Sequence, residues 1–293
     1  VGAQGGSAGT GGGTPICAPG LPTAFAAVPA SLSLPAARCG VTFDALGKST
    51  GALHYALMDL AADGVPDLVV HKDDCDPDLG HARWDVYAGS ASGIAQSPAA
   101  YSLPAARCGV AFDRLAQSSG ALEYALLDAT GDGVADLVVH QDDCDATLGG
   151  THWDVYAGSA SGFAPTPAPL SLPAARCGVA WDELGRATGA LEYSLMDLSG
   201  DGFADLVVYQ DDCDAAIGQA RWDVYAGSAG GFAASPTAYT LPAARCAVSW
   251  DKPARSTGAL KYSLLDLSGD KRSDLVVLRD DCDAPVGQSR WDV

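Results

Sequence analysis

The sequence predicts an all-β fold, a β-propeller of four-stranded antiparallel blades built from four 69-residue repeats. Three observations carry this. Cysteines recur at Cys39, Cys108, Cys177 and Cys246, and again at Cys75, Cys144, Cys213 and Cys282. Every step within a series is 69 residues, and the offset between the series is 36. Self-similarity at a fixed period marks a repeat architecture and outranks any local pattern. Of the 36 acidic residues, 33 are Asp and only three are Glu (Glu123, Glu183, Glu192). Glu favours helices, whereas Asp favours turns, caps and metal sites. Short runs of β-branched and aromatic residues, separated by turn residues, fill each repeat.

The second repeat shows the order of elements. Residues 122–128 (LEYALLD) read as a first strand and 136–141 (DLVVHQ) as a second, rich in β-branched residues. Residues 153–158 (WDVYAG) read as a third. Residues 162–172 (GFAPTPAPLSL) read as a fourth, whose prolines place it at a sheet edge. The intervening turns, ATGDGVA and GSASG, have hairpin chemistry. A short helical turn is expected in FDRLAQSS, before the first strand.

Residues 24–35 (AFAAVPASLSLP) match residues 162–173 (GFAPTPAPLSLP), so the N-terminal segment is expected to supply a fourth strand. Trp291, Asp292 and Val293 lie inside a third strand. A last blade completed by the N-terminal strand would leave no open edge; a fragment of a longer array is the alternative. The repeat domain therefore runs over 24–293, after a Gly/Ser-rich flexible leader over 1–23. Cys17, in TPIC, lacks the small-residue context of a lipid-anchor cysteine.

With 17 basic against 36 acidic residues the net charge is -19. Nothing here neutralises a row of phosphates, which excludes nucleic acid, and an anionic membrane surface would need a bridging cation. No run of about 18 apolar residues exists, so no membrane insertion is expected.

The turn between the first and second strands carries the metal chemistry. Its four copies read DLAADGVPD (59–67), DATGDGVAD (128–136), DLSGDGFAD (197–205) and DLSGDKRSD (266–274). Calcium takes six to eight oxygen ligands in a flexible shell, which a tight Asp-rich loop is able to supply. Side chains at positions 1, 3, 5 and 9 and a backbone carbonyl at position 7 form the expected set. These are Asp59, Asp63, Val65 and Asp67; Asp128, Thr130, Asp132, Val134 and Asp136; Asp197, Ser199, Asp201, Phe203 and Asp205; and Asp266, Ser268, Asp270 and Asp274. Ala61 leaves the first copy one ligand short. Lys271 and Arg272 oppose a dication, so the fourth copy is expected to be weakest or empty. The alternative is that these Asp residues only cap turns. Three carboxylates held at one spacing in four copies repel one another unless a cation intervenes, which favours Ca2+.

The DGxxDLVV motif, with a downstream G-S-x-x-G-F, resembles the FG-GAP/VCBS repeat family, which includes the β-propeller of integrin α-chains. The resemblance covers 24–293. It implies a calcium-stabilised propeller used in adhesion, in carbohydrate binding or as an accessory domain. This chain departs from the family at position 3, where Asp or Asn is usual, and in the long cysteine-bearing connection before each first strand.

In an antiparallel blade, the DDCD turn and the AARC connection fall on the face opposite the metal loops. Disulfides within a repeat would be Cys39–Cys75, Cys108–Cys144, Cys177–Cys213 and Cys246–Cys282; pairing between repeats would join Cys75 to Cys108 and so on. The first scheme is preferred because only Cys17 is then odd. Each such loop stabilises by roughly 4 kcal/mol on the chain-entropy model, and the set implies an oxidising, secreted or cell-surface location. Zinc is the rival use, but no C-x-x-C or repeated His accompanies these cysteines. The Asp residues of DDCD read as a solvated face.

Among the aromatic residues, Tyr55, Tyr124, Tyr193 and Tyr262 and Trp84, Trp153, Trp222 and Trp291 read as blade packing. Phe43, Phe112, Trp181 and Trp250 lie in the connections and are the candidate sugar-stacking set. His71 and His140 are in register, but Tyr209 and Leu278 follow, so no His is common to all repeats. The leading expectation is a binding module for a glycan or an extracellular protein ligand. A polysaccharide lyase or hydrolase on a propeller is the alternative, and would need residues such as His81, His152, Lys72 and Arg279 gathered in one cleft. A non-binding structural spacer is the third reading.

Overall fold

Four successive antiparallel units follow the 69-residue period in the computed structural model, which describes residues 31–293. The leader, Cys17 and residues 24–30 of the N-terminal strand lie outside the described residues. No helix occurs among the described residues.

The first three units have their four strands in sequential order. In the first they are Leu53–Met58, Asp67–Asp73, Arg83–Tyr87 and Ala99–Ser102. The second has Leu122–Leu127, Asp136–Asp142, His152–Tyr156 and Ala168–Ser171. The third has Leu191–Met196, Asp205–Asp211, Arg221–Tyr225 and Thr237–Thr240. The fourth pairs Leu260–Leu265 with Asp274–Asp280, and Val277 bridges Asp292 where a third strand begins. The register slips by one residue at the same point in every first strand, as between Glu123 and Tyr124.

Two expectations are corrected. The fourth strand is shorter than its apolar run suggested, because Pro165 and Pro167 before it have no N–H to donate to a ladder. The segment FDRLAQSS forms no helical turn. Gln117 instead exchanges two backbone hydrogen bonds of 2.8 Å with Tyr124, adding a short edge beside the first strand. Arg186 and Arg255 do the same with Tyr193 and Tyr262, and in the first unit the edge is a short strand, Gly47–Lys48.

Burial explains the sequence of the second strand. In DLVV every residue is inside: Leu137, Val138 and Val139 are all fully buried. A strand covered on both faces needs a continuous apolar run rather than an alternating one. What covers it is the neighbouring unit. One core gathers Val69, Trp84 and Tyr101 of the first repeat with Phe112, Leu122, Tyr124, Leu137 and Val139 of the second. A second core joins repeats two and three, and a third joins three and four. The first repeat also has a core of its own, around Leu53, Tyr55, Leu68, Val70, Leu79 and Tyr87, whereas the other three cores each form between two successive layers, as in other repeat proteins.

Tryptophan ties the layers together. The indole N–H of Trp84 donates to the Phe112 carbonyl at 2.7 Å, and those of Trp153 and Trp222 donate to Trp181 and Trp250 at 2.6 Å. Glycine permits a second contact. Gly162, at φ +142, abuts the Ser102 backbone so closely that a Cβ would lie 2.5 Å from the Ser102 nitrogen. Ser33 stands against Gly93 as Ser102 stands against Gly162.

Candidate functional site

The four Asp-rich turns share one backbone plan, and their carboxylates are spent largely on holding it. Asp128, at position 1, accepts the N–H groups of Gly131, Asp132 and Gly133 at 2.7, 3.2 and 2.9 Å. Asp132 accepts that of Val134 at 2.8 Å. Asp136, at position 9, is buried and takes three donors: Ala129 and Thr130 at 2.9 Å on Oδ2, and Gly158 at 2.7 Å on Oδ1. It therefore anchors the loop to the end of the third strand. Gly158 is required there, since a Cβ would fall 2.2 Å from the Ala135 oxygen.

The third loop repeats this pattern through Asp197, Asp201 and Asp205, with Asp205 accepting from Leu198, Ser199 and Gly227. In the first loop Asp59, Asp63 and Asp67 do the same without a side-chain oxygen at Ala61. In the fourth, Asp266, Asp270 and Asp274 hold the backbone of a turn that lies almost wholly in solvent. Burial pushes the carboxyls of Asp136 and Asp205 above the usual range, against the pull of their three N–H donors.

Two observations bear on calcium. The donor set is all oxygen, as a hard cation requires, and Thr130 Oγ1 in the second loop is buried with no hydrogen-bond partner. Against this, no loop among the described residues brings three carboxylates within 4.8 Å of one another. The side chains are arranged as turn caps, and Val65, Val134 and Phe203 at position 7 each donate their N–H to the Asp at position 5.

The opposite turn carries the covalent framework. Cys39–Cys75, Cys108–Cys144, Cys177–Cys213 and Cys246–Cys282 are all bonded, with Cα separations of 5.5–5.7 Å. The pairing within repeats is thus the one that forms. Each Cys–Asp–Cys cluster has metal-ligand spacing, but its two sulfurs are joined to each other.

Beside each disulfide lies an ion pair that the sequence reading missed. Arg38 donates through Nε to Asp73 at 3.0 Å and through Nη1 to Asp85 at 2.5 Å. Arg107 bridges Asp142 and Asp154; Arg176 bridges Asp211 and Asp223; Arg245 bridges Asp280 and Asp292. Desolvation opposes the charge on Arg38, Arg107 and Arg176, but the carboxylate partners outweigh it and raise each guanidinium above its ordinary value. The other oxygen of Asp73 accepts the Cys75 N–H at 2.9 Å, so the clamp also sets the cysteine. The solvated-face reading of DDCD is corrected in part. Its first Asp is buried in this clamp, and only the second, as at Asp74 and Asp143, is exposed. The missed signal was the invariance of Arg in AARC and Asp in WDV across all four copies.

The sugar-stacking set is also corrected. Phe112, Trp181 and Trp250 are fully buried, each edge-on to the tyrosine of its own first strand at 4.8–5.0 Å between ring centres. Phe43 is half-buried against Tyr55 in the same way. Phe112, Trp181 and Trp250 are core residues with no free face for a sugar.

The residues needed for an enzymatic cleft are spread over three repeats, Lys72 and His81 in the first, His152 in the second and Arg279 in the fourth. Lys72 pairs with Asp74 at 3.8 Å, His152 approaches Asp154 at 3.6 Å and Arg279 pairs with Asp281 at 2.7 Å. His81 is exposed on a turn. Where the repeats do diverge is in the grooves between successive units. The first groove is lined by Lys48, His54, His71 and Arg114; the positions one period on are Gln117, Glu123, His140 and Glu183, and then Arg186, Glu192, Tyr209 and Lys252.

No protein-family description matches the chain, and no curated protein matches it. Among solved structures, the chain is similar to an Agrocybe aegerita lectin that recognises non-reducing terminal N-acetylglucosamine. The identity is 18% and the TM-score 0.39, over 78% of this chain and 48% of that one. It is similar also to TcdB2-TccC3, at 15% identity and a TM-score of 0.34, over 80% of this chain and 14% of that one. This chain spans about half the length of the lectin. At these scores neither likeness assigns a fold or a ligand. Among the described residues, no helix is long and apolar enough to cross a membrane.

Proposed function

We propose that this chain is an extracellular β-propeller binding module of the FG-GAP/VCBS type, whose ligand is a glycan or another extracellular protein. One contrast carries the reading. The residues that build the framework (the disulfide cysteines, the clamp Arg and Asp, the first-strand Tyr) are held in all four copies, whereas the groove-lining residues change charge from copy to copy. A scaffold that keeps its staples and varies its recesses presents different surfaces to a partner, as recognition requires. Four disulfides support an oxidising location. Closure of the ring by residues 24–35 belongs to this proposal, supported by Ser33 taking the place against Gly93 that Ser102 takes against Gly162.

Calcium at the second and third loops is part of the same reading. Its supports are the all-oxygen donor set and the unpartnered Thr130 hydroxyl. When bound, the ion would neutralise the loop carboxylates and stiffen the hairpin tips. A thermal melt with calcium, with chelator and with reductant tests both stabilising devices. At a tenfold excess over the dissociation constant, calcium raises apparent stability by about 1.4 kcal/mol, whereas reductant lowers it. A melting temperature indifferent to calcium removes the ion from the account and leaves the disulfide scaffold. A screen of the intact chain against glycans and surface proteins tests the binding role, and turnover of a polysaccharide would replace it with an enzymatic one.

A further inference from the structure

The groove between the first and second repeats breaks the symmetry of the fold in one direction. It is a cleft of about 510 Å³ whose floor includes Tyr55 and Leu115. Lys48, His54 and His71 come from the first repeat and Arg114 from the second. In a chain of net charge -19, four nitrogen bases and no carboxylate line this cleft. The next groove reverses the sign. Its Glu123 carboxyl is pushed up by burial first and then by Glu183, Asp182 and Asp143, which shows acids converging at the matching place. In the third groove Lys252 and Glu192 stand 3.9 Å apart and offset each other.

The basic groups of the first groove are largely free. Arg114 is exposed and makes neither a side-chain hydrogen bond nor an ion pair among the described residues. Among the described residues Lys48 has only the exposed Asp44, at 4.0 Å, an arrangement of little energetic weight in water. His71 is committed at one nitrogen. Its Nδ1 lies 2.8 Å from the Asp113 carbonyl oxygen, which only accepts, so Nδ1 carries the hydrogen. Burial first, and the neighbouring His54 and Arg114 after it, lower the basicity of the ring against the pull of Asp113, so it is neutral at pH 7. Nε2 then presents a lone pair. His54 stands edge-on to His71, with ring centres 5.8 Å apart. Two cations, a hydrogen-bond acceptor and an apolar floor in one recess suit a ligand that carries both an acid group and hydroxyls.

We propose that the first inter-repeat groove binds an anionic saccharide, its carboxylate or sulfate held by Lys48 and Arg114 and a hydroxyl donated to His71 Nε2. This rests on the binding-module reading and names the ligand class for one groove. Titration calorimetry of the intact chain with oligogalacturonate, a sulfated cello-oligosaccharide and the neutral cello-oligosaccharide separates the sources of charge. The matched variant is K48Q combined with R114E, which installs the residues that Gln117 and Glu183 already place in the second groove of the same fold. Binding of one or both acidic sugars, weakened at least about tenfold by the double variant and by added salt, is the expected result. Undiminished binding by the double variant, or equal binding of the neutral sugar, overturns this assignment and leaves the module reading in place. Failure of every saccharide to bind also overturns it; the screen against surface proteins then decides the module reading separately.

Discussion

Three residues pay a conformational penalty that their counterparts avoid, and one is Ala62, at φ +54 where the other loops have Gly131, Gly200 and Gly269. In AARC-G, Arg38 and Val41 exchange both backbone hydrogen bonds, at 3.0 and 2.7 Å, around a two-residue turn. Cys39 and Gly40 there have φ of +47 and +72, the pattern of a type I′ hairpin. The fourth copy places Ala247 at the glycine position, at φ +58. Likewise Lys271 sits at φ +70 where the other loops have Gly64, Gly133 and Gly202. An L-residue in this region costs about 1 kcal/mol. A247G and K271G are each expected to raise the melting temperature, most clearly as a double variant; no gain in calorimetry would show that the turns relax elsewhere. Glu123 supplies a second residue-scale expectation. Its carboxyl titrates above the ordinary Glu range, so the native state holds the proton more tightly than the unfolded one. Its contribution is then present at low pH and is lost as pH rises from the ordinary Glu value through the raised one. E123Q removes that loss. The variant should gain stability at pH 7 and not at pH 3, which paired melts at the two pH values check.

At the scale of the element, the unit to understand is the turn carrying the disulfide. A covalent bond and a three-residue ion cluster share one corner of each sheet, and Asp142 serves both, accepting from Arg107 and from the Cys144 N–H at 2.8 Å. R107M leaves the buried Asp142 and Asp154 uncompensated, with an expected cost of about 3–5 kcal/mol by denaturant unfolding. Removing the Cys108–Cys144 bond costs roughly 4 kcal/mol. The two losses should not add, because both act on the same turn; strict additivity would show that clamp and disulfide are independent. This corner also marks what was legible in the sequence. Strand order and the turns followed from β-branched runs and turn residues, which are local signals, and the cysteine pairing from the count that leaves only Cys17 odd. The clamp joins residues 35 and 47 apart, as from Arg38 to Asp73 and Asp85, and no local pattern names such partners. The connection aromatics were misjudged for a related reason. Phe112 lies beside polar residues in sequence, yet is buried by the preceding and its own repeat together, and burial that needs a neighbouring layer is invisible within one unit. The Asp spacing located the loops correctly. It did not distinguish a carboxylate aimed at an ion from one aimed at a backbone N–H, because both uses select the same residue at the same place.

For the whole molecule, the decisive fact is that three of the four cores each belong to two repeats, and only that around Tyr55 lies within the first. Trp222 is buried between the third and fourth units and donates to the Trp250 carbonyl, in one core with Tyr262 and Val277. Among the described residues, nothing in that core comes from the first repeat. Stability in such an array is a sum of unit terms and nearest-neighbour terms, so damage at one interface stays near it. W222A removes the indole and its hydrogen bond, at about 3–5 kcal/mol. Hydrogen exchange should then show lost protection in Leu260–Leu265 and Asp274–Asp280, with Leu53–Met58 and Asp67–Asp73 unchanged. Protection lost evenly from all four units would mean that they open as one cooperative body. Local opening would have a functional reading too, because a groove between two layers changes shape when those layers shift, and the first groove would keep its geometry while a distant interface fails.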